Sequence, residues 1–204
     1  MKTEEPEIHL NESTHEYFHE SGRQLISVTR AFELVGITDY SRIPFEKLEP
    51  ARLRGTLVHD IAMFYGQGML DESSIDPSLM GYFDAIKRFY REEVGQVLDI
   101  ERIVHNLKFG YAGMLDLLYL NRSHLLCLAD FKTPITPHKA NRWQTGAYAW
   151  AHPDRDKIRR RHAVMLRLDG TYEFDEHSNP LRRDFDSFLT ILKCAVLKIE
   201  NKIK

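Results

Sequence analysis

From Gly113 to Thr133 the chain reads GMLDLLYLNRSHLLCLADFKT, two apolar runs around a polar turn at Asn121–His124. Runs of this length bounded by turn residues predict an antiparallel hairpin. A second hairpin is expected near the N-terminus, where Tyr17–His19 and Gln24–Val28 flank Glu20, Ser21 and Gly22. A helix should follow over Thr29–Val35 and stop at Gly36. Residues 50–66 open with proline, close with glycine and place Leu53, Leu57, Ile61 and Phe64 at helical spacing. Further helices are expected over Pro77–Glu93, from Thr136 as N-cap and Pro137 as first helical residue to Ala151, and over Asp184–Ile199. Strands are expected at Val97–Asn106, and at Arg161–Leu168 and Thr171–Phe174 around the turn Asp169-Gly170.

This order implies an α/β fold, a mixed central sheet with helices on both faces and a hairpin at the N-terminus. No repeat, low-complexity tract or long linker interrupts it. The expectation is one domain over residues 1–204: a hairpin-and-helix extension over 17–48, a core over 50–174 and a closing helix over 180–204.

Composition narrows the partners only a little. The formal net charge is −2, so no global positive field marks a nucleic-acid protein, although a local basic groove beside an acidic site leaves such a total. Cys127 and Cys194, the two cysteines, both sit among apolar residues and read as small buried hydrophobes. Two cysteines cannot supply an iron–sulfur cluster or a four-cysteine zinc site. The polar start MKTEEPEIHLNE is not a secretory pattern, and no apolar run nears the roughly 20 residues a membrane span requires. An intracellular, cytoplasmic protein with no membrane partner is expected.

The chemistry begins with the two aspartates inside the apolar hairpin. With the turn centred near Ser123, Asp116 lies opposite Asp130, where facing Cβ atoms are about 4.5–5.5 Å apart. Two carboxylates held so closely repel, and a cation is the natural remedy. Asp130 and Lys132, two apart on a strand, leave the same face. There Lys132 either holds a water or phosphate oxygen or forms a plain ion pair with Asp130. Oxygen ligation by carboxylates suits magnesium or manganese, which polarise phosphoryl oxygens and acidify bound water.

Gly113-x-x-Asp116 followed by Asp130-x-Lys132 resembles the core signature of the PD-(D/E)XK nuclease superfamily, with Leu115 where that family usually has proline. Gln144-Thr145-Gly146-Ala147-Tyr148 is similar to the QxxxY motif of its RecB-like, phage-type exonuclease branch. Upstream, RGTLVH places His59 where such nucleases carry an extra metal ligand, and YFHESGRQLISVT is similar to the hairpin before their core. The resemblance covers about Tyr17–Tyr148 and implies a restriction-endonuclease-like core. It implies one or two Mg²⁺ or Mn²⁺ ions on His59, Asp116, Asp130 and the Phe131 carbonyl, with Lys132 orienting or activating water. Catalytic residues would be Asp116, Asp130, Lys132 and Glu101, the last either projecting toward the metals or DNA or simply solvated. Gln144 and Tyr148, on one helix face, would reach a phosphate or base.

Lys139, Arg142 and Trp143 on the same helix are candidates for holding phosphates and stacking on bases. The basic run Lys157–His162 is either a solvated face or a phosphate-tracking rim. The implied function is a metal-dependent DNA exonuclease in recombination, repair or phage DNA processing, with a single-strand annealing or single-strand-binding protein as partner and a homo-oligomer within its range. An endonuclease on the same fold and a non-catalytic DNA-binding module are the alternatives. No phosphate-cradling glycine loop supports a nucleotide-binding enzyme.

Overall fold

A computed structural model describes residues 7–203 apart from 12, 13, 15, 135 and 178–180. Its strands are β1 (Ile8–Asn11), β2 (Glu16–His19), β3 (Gln24–Ser27), β4 (Val94–Asn106), β5 (Tyr111–Asn121), β6 (Leu126–Lys132), β7 (Ile158–Leu166) and β8 (Tyr172–Glu176). Its helices are α1 (Val28–Leu34), α2 (Phe45–Gly66), α3 (Met80–Glu93), α4 (Lys139–Ala151) and α5 (Leu181–Glu200). The strands form one mixed sheet in the order β1-β2-β3-β5-β6-β7-β8, with β4 on the other edge of β5. The β3–β5 and β6–β7 pairs are parallel and the rest antiparallel. No helix among the described residues is long and apolar enough to cross a membrane.

Two apolar layers hold the helices to the sheet. On one face Phe32 of α1, Ala147 and Tyr148 of α4 and Phe185, Phe188 and Leu192 of α5 pack against Tyr111, Leu115, Leu118 and Leu128. On the other, Val58 and Ile61 of α2 and Phe83, Ile86 and Phe89 of α3 pack against Leu117, Tyr119, Ala129 and Phe131.

The order of elements agrees with the sequence reading, with differences at the ends. β1 was not foreseen; it is four residues long and pairs only with β2. α2 starts five residues before Pro50, because the Pro44 carbonyl already accepts the Lys47 and Leu48 amides at 3.0 Å. Pro50 thus sits inside the helix, where it has no N–H to give the Glu46 carbonyl. Pro77–Leu79 forms a short 3₁₀ turn before α3. α4 begins at Lys139, not Pro137; the His138 Nδ1 accepts the Ala140 N–H at 3.1 Å and displaces Thr136 as the cap. Cys127 is buried as expected, but Cys194 is exposed, on the outer side of α5. Its apolar neighbours in sequence lie on other faces of the helix.

The basic run is largely structural. Arg161 is 2% exposed and pairs at 2.7 Å with Asp184 Oδ2, itself buried. It also donates to the His177 carbonyl and, at 3.3 Å, to Thr145 Oγ1. Arg160 pairs with Glu176 and Lys157 with Asp154. The Arg161–Asp184 pair ties β7 to α5 beneath α4. Asp184→Ala leaves a buried guanidinium uncompensated and is expected to cost about 3–5 kcal/mol, read as a lower urea midpoint with an unchanged denaturant slope.

Candidate metal centre

The site lies where the sheet forks. One edge of β5 is covered along its length by β4. Its other edge pairs with β3 at 111–112 and with β6 at 117–120, so residues 113–115 between them pair with β4 alone. The β5–β6 register sets Leu117 against Ala129, and one further step sets Asp116 opposite Asp130. There the two strands part. The Phe131 N–H donates at 2.6 Å to Asp116 Oδ2, a side chain replacing the ladder's carbonyl.

Both strands also change faces at this point. Leu115 belongs to one apolar layer and Leu117 to the other; on β4, Val104 and Ile100 are divided in the same way. Strict alternation would keep each pair on one side. The change falls at Asp116 and at Glu101, which the register brings opposite each other and which has φ 49°. A non-glycine residue in this left-handed region costs on the order of 1 kcal/mol or more, and such strain gathers at functional positions. The twist aims Glu101 and Asp116 toward α2. There His59 Nδ1 stands 3.3 Å from Asp116 Oδ2, and ligand atoms of His59, Glu101 and Asp116 all lie within 4.8 Å of one another.

Asp130, on β6, lies beside this cluster without joining the group of three. It is 1% exposed; Lys132 Nζ lies 2.6 Å from its Oδ2, an ion pair rather than a well-directed hydrogen bond, and Oδ1 is buried without a partner. Gly113 is fixed by packing: a Cβ there would lie 2.4 Å from Cε1 of Tyr148. The Tyr148 hydroxyl accepts from Gln144 Nε2 at 2.9 Å, and the Tyr111 hydroxyl donates to the Ala147 carbonyl at 2.9 Å. The first bond lies within α4; the second ties α4 to β5.

The electrostatics follow from crowding acids in a dry place. Burial raises the Asp116 carboxyl above its usual range; His59 opposes the shift and Asp130 adds to it. Burial, then Asp116, Asp130 and Asp60, push Glu101 up to about 8. For Lys132, burial favours the neutral amine, but Asp130 and Asp116 outweigh it and hold the ammonium above its ordinary range. Three carboxylates, one imidazole and an unsatisfied buried oxygen suit a hard divalent cation such as magnesium or manganese. His59, Glu101, Asp116 and Asp130 would hold it.

No family model matches the chain. Nor does any curated protein. Among solved structures the chain is similar to one described as the crystal structure of SSO0001, at 16% identity and a TM-score of 0.43, over 84% of this chain and 74% of that one. Function has to be read from the side chains.

The expected site residues separate into three groups. His59, Glu101, Asp116, Asp130 and Lys132 meet, and Phe131 joins them through its N–H. Gln144 and Tyr148 lie beside them, but both are buried and bonded to each other. Arg142 turns away to Asp184, at 2.7 Å, while Lys139 is exposed at the start of α4. Asp60 and Tyr90 also border the cluster, and Tyr90 donates to the Ala62 carbonyl at 3.3 Å. Asp60 follows His59 directly but leaves the helix about 100° away, so helical spacing gave no reason to choose it.

The raised Glu101 carboxyl carries a pH signature. Folding favours its neutral form, so between the ordinary 4.5 and about 8 the metal-free protein loses stability as pH rises. Glu101→Gln is expected to raise the melting temperature of the metal-free protein at pH 9 and leave it unchanged at pH 4. Glu101→Gly, which also relieves the φ strain, should raise it at both. Calorimetry in chelator at the two pH values checks this.

Proposed function

We propose that the protein is a metal-dependent deoxyribonuclease of the PD-(D/E)XK type, on the RecB-like branch, acting as an exonuclease. One observation carries this reading. His59, Glu101 and Asp116 converge within 4.8 Å, beside a buried Asp130 whose free oxygen lacks a partner and whose other oxygen is held by Lys132. A purely structural ion pair would explain Asp130 and Lys132 but not the two further acids turned into the same space at a cost in backbone strain.

The division of labour follows from the geometry. A bound Mg²⁺ or Mn²⁺ would polarise a phosphoryl oxygen and acidify a bound water. The Phe131 N–H and His59 fix the orientation of Asp116. Lys132, held as an ammonium, donates to the attacking water or to a phosphate oxygen and lowers the cost of charge developing there; it is not the base. The buried Gln144–Tyr148 pair is spent inside α4, and Lys139, exposed at the start of that helix, forms no ion pair among the described residues and is placed to meet a phosphate. DNA is the partner this site serves.

Lys132→Ala and Asp130→Asn are each expected to lower cleavage by about 100-fold or more. Lys132→Ala also leaves the buried Asp130 carboxylate uncompensated and lowers the melting temperature of the metal-free protein, so its cleavage is measured below that melting point. Unchanged cleavage in Lys132→Ala would overturn the mechanism. The test of the reading itself is digestion of end-labelled linear DNA and a covalently closed circle, with Mg²⁺, with Mn²⁺ and in chelator. Metal-dependent shortening of the linear DNA with the circle intact is the expected result. Cutting of the circle means an endonuclease, and binding without cutting means a non-catalytic module.

A further inference from the structure

Beside Lys132 opens a cleft of about 570 Å³ that the metal centre does not account for. Its walls are α1, the loop over 37–43, the segment after β6 and the first turns of α4. Phe32, Ile37, Tyr40, Ile43 and Met165 give it an apolar and partly aromatic surface.

Its charges do not invite a phosphate. Of the acids that line it, Glu33 pairs with Arg30 at 3.0 Å and Asp39 accepts the Ser41 N–H at 2.9 Å. Lys132 is the lysine or arginine on its lining, and Asp130 already holds it. A phosphate deep in the cleft would meet two carboxylates; only at the edge, at Lys132, does the lining offer it a lysine or arginine.

The polar groups are amides instead. Asn141 lines the cleft, is 6% exposed, and among the described residues its side-chain amide has no hydrogen-bond partner. Gln144, one helical turn on, spends its Nε2 on Tyr148 and leaves Oε1 without a partner among those residues. These amides open onto the cleft, so the wall offers donors and acceptors to a ligand that has both on a flat apolar body. A nucleobase has both. Its faces stack on aromatic side chains whatever the sequence, and its edge takes paired hydrogen bonds from an amide.

We infer that this cleft takes one unstacked nucleobase of the strand whose phosphodiester lies at Lys132, with Asn141 reading its edge. The inference rests on the nuclease reading and deepens it: the enzyme requires at least one unpaired nucleotide at the end it attacks. A base inside a duplex cannot enter the cleft, because its faces are covered by the stacked neighbours and it is tied to the opposite strand.

The test separates the two claims by measuring binding without cleavage. Short single strands carrying an internal dye are titrated in chelator, each with an intact or an abasic terminal nucleotide at the 5′ or the 3′ end. Removing the base at one of the two ends should weaken binding about fivefold or more. Asn141→Leu should bring the intact strand down to the abasic level, and Asn141→Asp, which keeps the shape but loses the donor, should change which base binds best. Thermal melts confirm that both variants fold. Equal binding of intact and abasic strands at both ends overturns the inference even if the protein cuts DNA. If DNA is neither cut nor bound, the nuclease reading falls. Equilibrium dialysis of free nucleosides then decides the cleft alone: saturable binding lost in Asn141→Leu supports it, and no binding overturns it.

Discussion

Everything at this site depends on two carboxylates placed inside a sheet. Asp116 and Asp130 stand opposite each other near the centre of the fold, and burial raises the Asp116 carboxyl above its usual range. Each is retained by a different device. A main-chain N–H and an imidazole face Asp116, whereas an ammonium faces one oxygen of Asp130 and the other has no hydrogen-bond partner among the described residues. The ladder gives up hydrogen bonds at this point to make room, and β5 and β6 part where their side chains are needed.

The surrounding architecture supports that opening. β3 and β6 share one edge of β5 with a gap between them, and α4 lies against that gap with the Tyr148 ring over Gly113. α5 in turn is fixed by the buried pair Arg161–Asp184, and Arg142 reaches the same aspartate from α4. A cluster of like charges needs a rigid frame, because any loosening lets water in and lets the acids move apart. The proposed chemistry and the stability of the fold therefore draw on the same elements.

The cleft and the acidic cluster proposed as a metal centre differ in polarity. One concentrates negative charge around a point; the other is apolar, with amides at its wall and Lys132 at the boundary. That contrast suits a substrate whose backbone is anionic and whose bases are flat and neutral.

The hairpin 111–132, the facing of Asp116 and Asp130, and the shared face of Asp130 and Lys132 were legible in the sequence, because turn position and strand alternation act over a few residues. The same local rules found the order of the elements and both flanking layers. They failed where long-range packing decides. Glu101 joins the site only because its strand changes faces at a positive φ, which no period reveals. His59 reaches Asp116 from 57 positions away in the numbering, by the docking of α2. Arg142 read as a DNA contact, and the run holding Arg161 as a solvated face or a phosphate rim, until α5 brought Asp184 to both; Cys194 looked buried until its helix face was fixed. Sequence determined which groups were present and which neighbours along a strand would align. Tertiary structure decided which of them meet, because the distance between residues far apart in the chain is set by packing and not by spacing.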